Sequence, residues 1–153
     1  MMDSSFSGIV TPQRVHAGAT VDDWRGAVQV VGGMLAATGA CTENYVAAME
    51  QAVIDLGPYM VVAPGVAMPH ARPEAGVLEP GIAVATLTEP VNFGHKKNDP
   101  VSLVIGFAAI NKDAHLASLQ KIVALLQDQE RLAKVKAATT NEELYEALTY
   151  QNN

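Results

Sequence analysis

The sequence predicts a single α/β domain, because runs typical of buried strands alternate with segments typical of amphipathic helices. Residues 81–87 and 101–110 are apolar with little alternation, as in strands that are covered on both faces. In the segments around them, apolar residues recur at steps of three and four, which is the spacing of one buried helix face. A chain of 153 residues, 49% of them hydrophobic and with no break in composition, can form one sizeable core.

The first residues carry no targeting signal. Residues 1–7 are mostly small and polar and are assigned to an N-terminal tail, so that residues 8–153 form the domain. No basic segment precedes an apolar one, and no apolar run is long enough to cross a bilayer, which predicts a cytoplasmic protein. Cys41 is the only cysteine, so we expect neither an intrachain disulfide nor a cysteine-based zinc site.

The charge of the chain argues against one class of partner. The formal net charge at pH 7 is -6 and the isoelectric point is about 5.1. No local cluster of Lys and Arg offsets this balance, so no positively charged face is expected that could follow a phosphodiester backbone. Nucleic acid is therefore not expected as a partner.

Two helices are predicted before the central strands. Residues 9–15 are compatible with a short strand that precedes them. Thr20 is the expected N-cap of the first helix and Gly39 its C-terminal stop. Thr42 is the expected N-cap of the second helix, whose apolar stripe continues to the stop at Gly57. The capping residues therefore give an approximate position for each helix end.

Three helices are predicted after the strand at residues 101–110. Asp113 is the expected N-cap of the first, which places His115 in its first turn. A second helix is expected at residues 128–137. Residues 140–143 have the pattern T-x-x-E of a capping box and open the last helix.

A histidine follows directly on an apolar segment in the middle of the chain. Residues 61–63 and 66–68 are β-branched or small and are bounded by prolines and a glycine, which is typical of short buried strands. His70 therefore lies where a strand ends. Pro69 fixes its own φ angle and Pro73 restricts the residue before it, so the backbone around the histidine is expected to be extended and stiff.

Three features of the sequence together resemble a known family. They are the run PGVAMPHAR at residues 64–72, the helical segment 45–56 before it, and His115-Leu116 followed by Leu119. The combination resembles the IIA component of the bacterial phosphoenolpyruvate-dependent sugar phosphotransferase system (PTS), mannitol/fructose class, and covers nearly the whole chain. Within that class, the GPY sequence at residues 57–59 followed by the P-H-A-R-P-E run is most similar to the ascorbate branch.

The resemblance implies a fold, an activity and several partners. The family fold is a single domain with a mixed β-sheet flanked by helices on both faces. The phosphorylated histidine of the family corresponds to His70, and its second active-site histidine corresponds to His115. Family members accept phosphoryl from the histidine phosphocarrier protein HPr and pass it to a cysteine of a IIB component, which acts with the membrane component IIC in sugar uptake. The resemblance thus implies a phosphotransferase with no cofactor, with L-ascorbate as the expected sugar.

The residue types at these positions also suit phosphoryl transfer. Imidazole is neutral near pH 7, is nucleophilic, and forms a bond labile enough to pass the group on. The protein then has to supply positioning and hydrogen-bond donors. If the strands ending near His70 and Ile110 are parallel, their ends open on one edge of the sheet and bring His115 close. Arg72 would point to the same side as His70 if the chain stays extended, and would offer a cation to phosphate or to a partner.

Other interpretations of these residues remain open at this point. His70, His95 and His115 could form a metal site, although the sequence lacks an H-x-x-x-H pair or a carboxylate-histidine pair on a helix. A regulatory module with the same fold, which binds a partner according to phosphorylation, is a second alternative. The presence of both His70 and His115 weighs against it. Arg72 could equally be a surface ion-pair partner, and no role is assigned to His16, His95 or Cys41.

Overall fold

The computed structural model describes residue 6 and residues 8–149. Within them lie five strands and five α-helices. In chain order these are β1 (Val15–Ala19), α1 (Trp24–Ala37), α2 (Glu43–Leu56), β2 (Val61–Ala63), β3 (Val66–Ala67), β4 (Gly81–Val91), β5 (Val101–Ala108), α3 (Lys112–Gln127), α4 (Gln129–Ala137) and α5 (Asn141–Thr149). Short 3-10 turns at Pro12–Arg14, Gly57–Met60 and Pro73–Ala75 connect some of them. No helix in this part of the chain is long and apolar enough to cross a membrane.

The strands form one mixed sheet with the order β1-β4-β5-β3-β2. β1 is parallel to β4 and β3 is parallel to β5, whereas the pairs β4–β5 and β2–β3 are antiparallel. The parallel pairing of β3 with β5 confirms the arrangement expected for the strands before His70 and Ile110. Because β4 is antiparallel to β5, Gly81 at its start lies opposite Ala108 at the same edge. This edge carries the candidate site.

Helices cover both faces of the sheet, as expected for this fold class. Side chains of β4 alternate between two separate cores, since Ala83 and Ala85 belong to one and Ile82 and Val84 to the other. The first core is closed mainly by α1 and α2, and the second by α3, α4 and α5. Both central strands are therefore buried on two sides, which explains why their sequences lack alternation.

The structure corrects the expected position of the first strand and the first cap. The strand is Val15–Ala19 and not residues 9–15, where a 3-10 turn at Pro12–Arg14 intervenes. The N-cap of α1 is Asp23 and not Thr20, because the Asp23 carboxylate accepts a hydrogen bond from the Gly26 N–H at 3.0 Å. Thr42 caps α2 as predicted, and Gly57 ends it.

Phe6 belongs to the segment that the sequence assigns to a tail, yet its side chain is buried, with 0% of its surface exposed. Its backbone N–H donates to the carbonyl oxygen of Leu148 at 3.2 Å, and the Arg131 guanidinium lies 5.3 Å from its ring centroid. These contacts join Phe6 to α4 and α5. Residues 1–5 and 7 of the predicted tail, and 150–153 of the predicted domain, lie outside the described residues.

Candidate active site

His70 lies three residues after β3, at the edge where β3 and β5 end. The Nδ1 atom of its ring is 2.9 Å from the carbonyl oxygen of Met68. A carbonyl can only accept a hydrogen bond, so Nδ1 carries the proton in this contact and Nε2 keeps its lone pair. The side chain is partly exposed, and the contact with the backbone carbonyl leaves Nε2 as the ring nitrogen with a free lone pair.

The surroundings of His70 keep its imidazole neutral. Burial lowers the pKa of His70 below its usual value, and the neighbouring His115 lowers it further, while the hydrogen bond to the Met68 carbonyl acts in the opposite direction. The ring stacks on Phe107, with 4.7 Å between the centroids and 20° between the planes. At pH 7 the lone pair on Nε2 is thus available for attack rather than occupied by a proton.

His115 lies in the first turn of α3, and its ring meets the ring of His70 edge to face. Its ring centroid is 5.5 Å from that of His70 and 5.2 Å from that of Phe107. The N-cap of α3 is Asn111 and not the expected Asp113, because the Asn111 side chain accepts from the Ala114 N–H at 2.9 Å. The two histidines are close enough for both rings to contact one phosphoryl group.

Tyr45 is a residue of the site, although the sequence predicts it only as part of the helical segment 45–56. Its hydroxyl lies 2.8 Å from the carbonyl oxygen of Phe107 and 3.2 Å from that of Ala71, and it accepts from the Ala71 N–H at 3.0 Å. Burial raises the pKa of Tyr45 to about 12, so the hydroxyl keeps its proton. The sequence offers one signal for these hydrogen bonds, a tyrosine within the apolar face of a helix, since a buried phenol needs polar partners.

The sequence and the fold match one group of known proteins. Residues 8–151 match the family described as "Phosphoenolpyruvate-dependent sugar phosphotransferase system, EIIA 2". The chain belongs to this EIIA family. As an EIIA component it is a phosphotransferase that carries phosphoryl.

Individual relatives of this EIIA chain agree with that assignment. The ascorbate-specific PTS system EIIA component of Shigella boydii is 37% identical over 135 residues, which are 88% of each chain. The mannitol-specific cryptic phosphotransferase enzyme IIA CmtB of Escherichia coli has a similar solution structure, with a TM-score of 0.85, 31% identity, and coverage of 95% of this chain and 98% of that one. The IIA enzyme for mannitol of E. coli, in complex with phosphorylated IIB, gives a TM-score of 0.77 at 27% identity, covering 89% and 94%.

Arg72 extends the EIIA site toward solvent. It lies two residues beyond His70, and its backbone is extended as expected, with φ -74° and ψ 146°. The side chain is exposed, and in residues 6 and 8–149 no ion pair or hydrogen bond engages its guanidinium. The guanidinium is thus a cation that an incoming anionic group could use.

The other candidate side chains of the EIIA chain do not join the two histidines. Nδ1 of His95 accepts from the backbone N–H groups of Lys97 and Asn98 at 3.1 and 3.0 Å, so this ring holds the turn between β4 and β5 at the opposite edge. His16 is exposed on β1, and Cys41 is buried. Burial raises the pKa of the Cys41 thiol to about 11, which keeps it protonated. Among the described residues, no group of three or more His, Cys, Asp or Glu side chains could hold a metal ion.

Exposed apolar side chains border the EIIA site. Ile110 lies two residues after β5, and Leu116 follows His115 on α3; 49% and 56% of their surfaces are exposed. Val123 lies seven residues, or about two helical turns, beyond Leu116 and is exposed by 47%, so it continues this apolar surface along α3. An exposed apolar rim of this kind is typical of a surface that docks a protein partner.

Proposed function

We propose that this EIIA protein is a cytoplasmic phosphoryl carrier that accepts phosphoryl from phospho-HPr on Nε2 of His70 and passes it to the cysteine of a cognate IIB component. The observation that carries the proposal is the hydrogen bond from Nδ1 of His70 to the Met68 carbonyl. It leaves one nucleophilic nitrogen, and it directs that nitrogen away from the backbone. The identity to ascorbate-specific relatives supports L-ascorbate as the sugar that the assembled system takes up.

The transfer requires no change of proton position on His70. The Nε2 lone pair attacks the phosphorus atom, the phosphorus-nitrogen bond in phospho-HPr breaks, and the HPr imidazole leaves with that electron pair. Positive charge then builds in the His70 ring, and the Met68 carbonyl stabilises it through the Nδ1–H. In the second half, the IIB thiolate attacks the same phosphorus atom and His70 leaves as neutral imidazole.

His115 is the donor that we assign to the transferring group. Its ring centroid lies 5.5 Å from that of His70, so a ring N–H could reach an oxygen of a phosphoryl group bound to His70. The N–H groups of Lys112 and Asp113 lie in the first turn of α3, where helix N–H groups have no intrahelical acceptor. Donors that are already oriented stabilise the negative charge on the equatorial oxygens at little cost in reorganisation.

HPr and IIB are expected to dock in turn on the rim formed by Ile110, Leu116 and Val123. These side chains are exposed, and Leu116 follows His115 on α3, so a partner seated on them would lie near His70. Arg72 would lie at the border and meet an anionic group. If both partners use this one surface, they must bind alternately. Alternate binding suits a carrier, because it takes phosphoryl from one partner and gives it to the other. IIC would be reached only through IIB.

A reconstituted phosphoryl relay tests the proposal. Incubation with phosphoenolpyruvate, enzyme I and HPr should add one phosphoryl group, which is lost in acid and retained in base, as expected for a phosphoramidate. Addition of IIB should then remove the group and place it on the IIB cysteine. A protein that is labelled but never passes the group to IIB would instead act as a regulatory module, and an acid-stable adduct would contradict a phosphohistidine.

Replacement of Arg72 by alanine should slow transfer without unfolding the protein. An exposed side chain with no described ion-pair partner contributes little to stability, so the free energy of unfolding should change by less than about 0.5 kcal/mol. The rate of transfer from phospho-HPr should fall, and the difference from wild type should shrink as salt rises, because ions screen exposed charges beyond about 8 Å near physiological ionic strength. Stopped-flow or quench-flow labelling at several salt concentrations measures this.

Lys96→Ala is the matched control for Arg72→Ala. It removes one positive charge from an exposed position in the turn between β4 and β5, at the opposite edge of the sheet. Its net charge is therefore the same as that of Arg72→Ala. A wild-type rate for Arg72→Ala at low salt, or an equal loss for Lys96→Ala, would show that the position of Arg72 has no importance for transfer.

A further inference from the structure

We propose that Tyr45 is a positioning residue for phosphoryl transfer, whose hydroxyl holds the His70 imidazole in the orientation that presents Nε2. The inference rests on the proposed function of His70 and deepens it. Tyr45 does not touch the reacting atoms. It acts through two backbone segments, at Ala71 and at Phe107.

The Tyr45 hydroxyl connects three parts of the fold. Its oxygen accepts from the Ala71 N–H at 3.0 Å, in the segment that follows β3. Its single proton faces the Phe107 carbonyl oxygen of β5 at 2.8 Å and the Ala71 carbonyl oxygen at 3.2 Å, and the shorter contact is the principal one. One side chain of α2 thereby joins the segment after His70 to the end of β5.

Phe107 is bound to the chain on both sides of His70. Its N–H donates to the Pro69 carbonyl oxygen at 3.3 Å, and its carbonyl oxygen accepts from Tyr45, which in turn holds Ala71. The Phe107 ring stacks on the imidazole between these two attachments. The neighbours of His70 in sequence are therefore fixed relative to the surface on which its ring lies, and this arrangement keeps Nδ1 next to the Met68 carbonyl.

The positioning role belongs to the hydroxyl of Tyr45 and not to its ring. The side chain is 0% exposed and packs in the core under α1 and α2, where a phenylalanine ring would fill nearly the same volume. Without the oxygen, the Ala71 N–H and the Phe107 carbonyl would lose their partner, and buried polar groups do not remain unpaired without a shift of backbone or entry of water. Either change loosens the segment that carries His70, and small misplacements of a reacting group cost up to about a hundredfold in rate.

Tyr45→Phe tests the proposal with the free protein and with its phosphoryl donor. In the wild-type protein, nitrogen NMR of the His70 ring should show predominantly the Nδ1–H tautomer. In the variant, the population of that tautomer should fall, and the pH titration of the ring should shift. Transfer from phospho-HPr should slow by about tenfold to a hundredfold, and part of the label should move from Nε2 to Nδ1.

Thr86→Val is the matched control, because it also removes one buried hydroxyl without changing the size of the side chain. The Thr86 oxygen accepts from the Gly18 N–H at 2.9 Å, between β1 and β4 and away from the site edge. This variant should lose a hydrogen bond yet keep the wild-type His70 signals and transfer rate. A general loss of packing would affect both variants alike, whereas the proposed role affects only Tyr45→Phe.

The outcomes separate this inference from the proposed function. Wild-type His70 signals in a folded Tyr45→Phe variant, or a rate equal to that of Thr86→Val, would overturn the role of Tyr45. Failure of the wild-type protein to take up phosphoryl would overturn the proposed function, but the ring signals, recorded without any partner, would still decide about Tyr45. If Tyr45→Phe does not fold, site-specific 3,5-difluorotyrosine at this position keeps the ring and weakens the oxygen as acceptor, and an unchanged Nδ1–H population there would likewise overturn the inference.

Discussion

Replacement of His70 by alanine is expected to abolish the uptake of phosphoryl from phospho-HPr. Nε2 of this residue is the nitrogen that the Met68 carbonyl leaves with a free lone pair, and the low pKa of the ring keeps it neutral at pH 7. Neither His95 nor His16 has this environment, since Nδ1 of His95 accepts from the turn that it holds and His16 lies exposed on β1. Quantitative labelling should show no transfer above the background of a sample without enzyme I.

The fold should survive this substitution. Loss of the imidazole removes a stacked ring pair with Phe107, which contributes about 1 kcal/mol, a minor fraction of the 5–15 kcal/mol that stabilises a typical domain. Thermal unfolding followed by circular dichroism measures the change. His16→Ala is the control, because it removes an exposed histidine outside the site and should label as wild type does. Full labelling of His70→Ala would place the nucleophile elsewhere.

Replacement of His115 by alanine is expected to slow transfer by about a hundredfold to a thousandfold while labelling still occurs at His70. Removing one oriented donor to a developing charge costs about 2.7–4 kcal/mol in comparable sites. The ring centroid lies 5.5 Å from that of His70, within reach of a phosphoryl group bound to His70. The loss should be clearer in single-turnover rates than in the final labelled fraction, because transfer between histidines of similar potential is reversible.

Two further variants make the His115 experiment specific. His115→Asn retains a side-chain N–H donor and should recover part of the lost rate. Gln129→Ala changes an exposed residue at the start of α4, away from the apolar rim, and should transfer as wild type does. Since His115 lies in a first turn and is only partly buried, its replacement should leave the fold intact. Wild-type rates for His115→Ala, or label on His115 itself, would contradict the assigned role.

The sequence by itself determined the elements on which the site is built. Short apolar runs bounded by Pro64, Gly65 and Pro69 predicted that His70 follows a strand, and the helix expected after Asp113 predicted that His115 lies in a first turn. These are local properties of the chain, since hydrophobic spacing and proline geometry act over a few neighbouring residues. The unalternating sequences of β4 and β5 predicted strands buried on both faces for the same reason.

The helix N-caps show how far such local patterns can predict the structure. Thr20 and Asp113 were expected as caps, but Asp23 and Asn111 cap these helices. Several side chains near each helix start are chemically able to accept from an unpaired N–H. Which one does so depends on the path by which the chain enters the helix, and packing of the preceding strand sets that path.

Only the tertiary structure decided the geometry of the site itself. The register of β3 against β5 brings His70 to Phe107 and His115, which are 37 and 45 residues away in the chain. The hydroxyl of Tyr45 meets Ala71 and Phe107 because α2 packs across the end of that strand pair. Distances and hydrogen bonds between such remote residues arise from the packing of whole elements. A sequence pattern describes each element separately, and for this reason it pointed to His70 but neither to the nitrogen with the free lone pair nor to the hydrogen bonds of Tyr45.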